Sequence, residues 1–164
     1  MVDSLINFFS SFGASSWIPG YRWTWPAMET LHFIGLCMLM GSLLVMDLRL
    51  IGFERSIPLK AVHSLMPVAI AGFAINLLTG LTFLLGDPGL YFINPAFWIK
   101  MTLVLLAGLN FLLYFFKVEP TLVHLGPHDS TPALAKAVGV ASLVFWFGVL
   151  MYGRLLPYLG TGGG

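Results

Sequence analysis

Glu29 and His32 stand one helical turn apart in "PAMETLHFIGL", residues 26–36, at the start of a stretch that otherwise reads as apolar helix. An ionisable group inside a membrane helix costs a few kcal/mol or more (about 2.5 upward) unless it is paired and faces other protein, so each one is a candidate for function. Lys100 and Arg154 are the matching cations, five residues into one later apolar stretch and close to the end of another. The imidazole of His32 could ligate a haem iron or a copper ion, with Met28, Met101 and Met151 as nearby soft sulfurs. Lys100 and Arg154 could hold anionic groups such as haem propionates. Glu29 and His32 could instead exchange protons with a quinone head group. The non-functional alternative is a salt-bridge layer that fixes helix register, or cations that snorkel to the membrane surface.

Other ionisable residues separate from this set by position. His63, His124 and His128 belong to the opposite end of the helices, more than about 20 Å from His32 by helix rise, which disfavours a bis-histidine haem within one chain. His63 with His124 could make a second metal site, although "HLGPHD" reads first as a solvated loop. Asp47, Arg49, Glu54 and Arg55 in "VMDLRLIGFER" read as an interfacial charge cluster. Cys37, the single cysteine, reads as a small buried hydrophobe.

The elements that must position these residues follow from composition. The 164-residue chain is 58% hydrophobic and 9% charged, with a mean hydropathy of +0.89, which points to the bilayer as solvent. Eight Lys or Arg against seven Asp or Glu leave a net charge of +1, so no basic face exists for nucleic acid. Four apolar stretches each open on a proline (Pro26, Pro58, Pro95, Pro132) with Thr24, Ser56, Asn94, Ser130 and Thr131 as capping candidates. These predict helices at about 26–53, 58–86, 95–118 and 132–157, each long enough for a span of about 20 residues. Pro67 should kink the second helix by removing a bond to the carbonyl of His63. Short connections predict antiparallel neighbours. The fold class is therefore all-α: an integral membrane up-and-down four-helix bundle over residues 23–158. Residues 1–22 should form an interfacial amphipathic segment and 159–164 a flexible tail.

Glu29, His32, Lys100 and Arg154 would then share one level, within about 5–9 Å of the helix ends. Arg49, Arg55, Lys60, Lys117 and Lys136 mark the other side, against Arg22, Lys100 and Arg154 on this one. The positive side should be cytoplasmic, with both termini periplasmic. Trp17, Trp23, Trp25 and Trp98 form an aromatic belt on the outer side. Several glycines could let helices approach closely, although none forms a strict GxxxG pair.

The pieces "ETLHFIGL", "GSLLVMDLRLIGF", "PVAIAGFAINLLTGL", "NPAFWIKM", "GLN" and "GRLLPY" resemble a family of uncharacterised bacterial inner-membrane proteins of four helices. The resemblance spans most of residues 26–158. It implies the four-helix fold and an inner-membrane address, picks out Glu29, His32, Asp47, Arg49, Asn94, Lys100 and Arg154, and brings no assigned reaction. It also implies a histidine near the end of helix three, where this chain reads "LLYFFK". A looser architectural likeness links the chain to cytochrome b561-type and copper-resistance membrane proteins. The functional expectation is a redox-associated membrane subunit with a haem b or quinone site near the periplasmic leaflet, built on His32, Glu29, Lys100, Arg154 and Met101, with His32 as the metal ligand. Copper or small-solute transport and a structural subunit role are the alternatives. The expected partners are the lipid bilayer, copies of the chain or a larger membrane complex.

Overall fold

The computed structural model describes residues 2–12, 22–126 and 128–159. Every regular element among them is helical: α1 (Val2–Ser10), α2 (Thr24–Ile51), α3 (Leu59–His63), α4 (Met66–Gly86), α5 (Pro88–Phe92), α6 (Pro95–Leu113), a π-helical turn (Tyr114–Val118), α7 (Glu119–Leu122) and α8 (Ala133–Leu159). They form four helices long and apolar enough to cross a membrane: Thr24–Ile51, Leu59–Gly86, Pro95–Leu122 and Ala133–Leu159.

The prolines that open the four apolar stretches all lie at helix starts, but only Pro95 among them is a first helical residue. Pro95 is the first residue of α6 and Asn94 caps it, its Oδ1 accepting from the Ala96 N–H at 2.9 Å. Pro26, by contrast, lies inside the first turn of a helix that already begins at Thr24, Pro58 holds the cap position, and Pro132 precedes α8. A proline fits anywhere in that first turn because none of its N–H groups has an intrahelical partner. Ser56 bonds Glu54, and Thr131 donates to the Leu50 carbonyl at 2.6 Å, so neither caps a helix. The first span stops at Ile51, short of 53, because Gly52 turns left-handed at φ 108° and its N–H reaches back to Leu48 and Arg49.

The second span breaks where Pro67 predicts: α3 ends at His63 and α4 restarts at Met66. The third span runs past 118 to Leu122 despite Pro120. Its π-helical turn lets the Glu119 N–H bond the carbonyl of Tyr114, five residues back, and the widened turn absorbs the proline.

Around the bundle, α2 packs against α4 and α8, and α6 packs against α8. The α2–α4 seam closes backbone to backbone: a Cβ on Gly72 would stand 2.6 Å from the Gly35 carbonyl oxygen and from the Leu39 nitrogen. The α6–α8 seam carries two buried ties, Asn94 Nδ2 to the Leu156 carbonyl at 2.7 Å and Asn110 Nδ2 to the Val138 carbonyl at 3.0 Å. The second and third spans, though consecutive, make few close backbone contacts. The ring of four is thus open on that side.

On the outer side, α1 lies beside α5, with Phe9 5.2 Å from Phe92, and leaves Phe8 and Phe12 exposed. Trp17 and the glycine tail lie outside the described residues. Cys37, expected inside, is exposed on the outward face of α2.

Candidate functional site

His32 is the best-defined member of the outer polar layer. Half-buried on α2, it faces α4, where its Nδ1 lies 2.7 Å from the Thr79 hydroxyl. That hydroxyl's one hydrogen can go to the Ile75 carbonyl at 2.8 Å, or more weakly to that of Asn76 at 3.3 Å, in the back-bonding pattern of a helical threonine. With the hydrogen there, the Thr79 oxygen accepts and Nδ1 of His32 donates; turned to the ring, the hydroxyl would donate to a bare Nδ1 instead. In the first arrangement the lone pair of Nε2 is left for another partner, as when an outer group fixes the tautomer of a working histidine. Phe83 packs on the ring at 5.6 Å and Trp25 packs on Phe83 at 5.3 Å.

Lys100 enters from the third span. Its Nζ lies beside Gly153 of the fourth span, where a Cβ would sit 3.7 Å away, and its charge acts on His32. All four spans thus contribute to one layer: His32, Thr79, Lys100 and Gly153.

The other expected members are placed apart. Glu29 is exposed, not inward as its shared face with His32 suggests. Its charge acts on Tyr91 in the 87–94 connection, whose hydroxyl pKa is pushed up to about 12 by burial first, then by Asp87 and Glu29. Arg154 is exposed too, its guanidinium 5.4 Å from the Tyr158 ring. Met101 and Met151 are 42% and 50% exposed, on the outer faces of their helices, and Met28 is half-buried. Among the described residues, no group of three or more His, Cys, Asp or Glu side chains could hold a metal ion.

A second polar constellation lies toward the other end, about 22 Å along α2. Asp47 is 4% exposed, Ser142 of α8 stands beside its carboxyl, and its Oδ2 has no hydrogen-bond partner. It lines a cavity of about 300 Å³ together with Asn110, Tyr114, Ser142 and apolar residues of all four spans. Arg49, 2% exposed, does not pair with Asp47. Its Nε donates to the Ile57 carbonyl at 2.7 Å and its Nη2 to the Arg55 carbonyl at 3.3 Å, so it braces the loop between the first two spans. His63 lies below the cavity, 3.3 Å from the Tyr114 hydroxyl and 3.3 Å from Glu119, whereas His124 is exposed.

Thr79, Asn110, Tyr114 and Ser142 escaped the sequence reading, which followed charge. The signal available was polarity: each interrupts an apolar span and each meets a partner across a helix interface.

No curated protein and no solved structure matches the chain. A family of unknown function, DUF6644, matches residues 23–159, the whole of the four-span region. The chain therefore belongs to that family of unknown function.

Proposed function

We propose that this protein is a redox-associated membrane subunit that binds a quinone head group at His32 and Lys100, near the periplasmic leaflet of a bacterial inner membrane. The observation that carries the reading is the placement of the imidazole: Nδ1 of His32 lies 2.7 Å from the Thr79 hydroxyl, whose hydrogen has the Ile75 carbonyl to go to at 2.8 Å, and the charge of Lys100 acts on the same ring. A quinol hydroxyl would donate to Nε2, and a quinone carbonyl would accept from Lys100 Nζ. Proton exchange with a bound head group is the chemistry that such a pair supports. Trp25 and Phe83 supply flat apolar surface for the ring. The excess of Lys and Arg at the Asp47 end supports an orientation with both termini periplasmic.

Haem at the same nitrogen is less well supported. One turn from His32, α2 and α4 touch through Gly35 and Gly72, which leaves no slot between those helices for a planar macrocycle. The smaller ring suits the layer better.

The test is a titration of purified protein with a short-chain ubiquinone, followed by tryptophan fluorescence. His32→Ala and Lys100→Met should each weaken binding by about tenfold or more, the loss of a good hydrogen bond in a dry site. Arg154→Ala should leave it unchanged. Equal affinity in wild type and His32→Ala would overturn the proposal. A Soret band lost in His32→Ala would put haem there instead, and copper bound by wild type but not by His32→Ala would favour the metal.

A further inference from the structure

The cavity around Asp47 stands apart from the His32 layer and has its own chemistry. Its walls are apolar and aromatic: Phe73 and Trp146 meet edge to face at 6.1 Å, and Phe111 closes one side. A 300 Å³ volume lies at the lower end of the range for small-molecule sites. Asp47 is the one carboxylate that lines it, is almost fully buried and presents an Oδ2 with no partner. No Lys or Arg lines the cavity, and the neighbouring Arg49 bonds the carbonyls of Ile57 and Arg55 and keeps an unpartnered Nη1 without pairing with Asp47. Among the described residues the buried acid therefore has no ion-pair partner.

The way in is equally specific. The second and third spans make few close contacts, and both contribute walls to the cavity. Ile70 of the second span and Phe111 of the third, 53% and 39% exposed, both line the cavity, as does the exposed Gly108. A Cβ on Gly108 would meet nothing within 4 Å.

From this geometry we infer that the cavity binds a lipophilic ammonium ion that arrives laterally from the membrane. The ammonium N–H donates to Asp47 Oδ2, one aromatic ring of the ligand lies against Phe73, Trp146 and Phe111, and its chain leaves between the second and third spans. Charge neutralisation and hydrogen bonding occur at the same oxygen, and the rings add cation–π attraction.

N-octylbenzylamine, cationic at neutral pH, is the probe, with octyl benzyl ether as its neutral counterpart. Binding is measured by calorimetry on full-length protein in nanodiscs of zwitterionic lipid, against empty nanodiscs to subtract partitioning. The amine should bind about tenfold or more tighter than the ether. Asp47→Asn should abolish that preference. Gly108→Leu adds bulk at a position where a Cβ meets nothing within 4 Å and should weaken amine binding by a similar factor, so it decides the matter if Asp47→Asn does not fold. Equal binding of amine and ether, or wild-type affinity in both variants, would overturn the inference. Neither variant touches His32, so both should titrate with quinone as wild type does, and failure at one site is distinguishable from failure at the other.

Discussion

The seam between α2 and α4 and the gap between α4 and α6 are made of similar residues: leucine, isoleucine, phenylalanine and a few glycines. One closes until backbones touch and the other stays apart. Within lipid, burying a leucine against another helix gains little over burying it among acyl chains, so association depends on close packing and hydrogen bonds. The α2–α4 seam has both. Gly35 and Gly72 face each other, and His32 bonds Thr79 two turns along α4. At the gap, Gly108 faces open space. Glycine content does not decide which helices join; what each glycine faces does.

The sharpest way to break this comparison is the same substitution on both sides. Gly72→Val forces methyls into the Gly35 carbonyl and the Leu39 nitrogen, where only backbone could yield, and should destabilise by about 3 kcal/mol or more in reversible unfolding in mixed micelles. Gly108→Val should change stability by less than about 0.5 kcal/mol. A reversed order would show that the seam is not what holds these spans.

A second effect concerns the loop end of the bundle. Arg49→Met should cost about 2 kcal/mol by orphaning the Ile57 and Arg55 carbonyls. The same unfolding assay measures it. Smaller again is Thr79→Val, which removes the hydroxyl that His32 uses, at about 0.6–1 kcal/mol. Its larger consequence should be a weakened quinone titration, because Nδ1 then loses the oxygen that fixes its proton. Unaltered quinone affinity in Thr79→Val would detach that contact from function.

The four spans were legible because length and hydropathy suffice to define them, and Asn94 with Pro95 marked a helix start to the residue. The break at Pro67 was legible for the same local reason. Glu29 was less so. Its spacing puts it on the His32 helix face, yet a face is about a hundred degrees wide, and the helix rotation leaves Gly35 and Leu39 inside and Glu29 at the rim. The open side of the ring was not legible at all, since short connections constrain direction and leave contact undetermined. Asp47 read as one charge in an interfacial cluster because its isolation from Arg49 depends on where the loop carbonyls of Ile57 and Arg55 fall. Asn110 and Ser142 were visible only as polar letters in apolar runs.

The central claim is the state of one imidazole. Selective 15N-histidine labelling of the protein at neutral pH, with His32→Gln to assign the signal, reads which ring nitrogen bears the proton. The expected result is a neutral ring protonated at Nδ1, with the Nε2 resonance moving when short-chain quinone is added. A proton found on Nε2, or a His32 signal indifferent to quinone and to Thr79→Val, would contradict it.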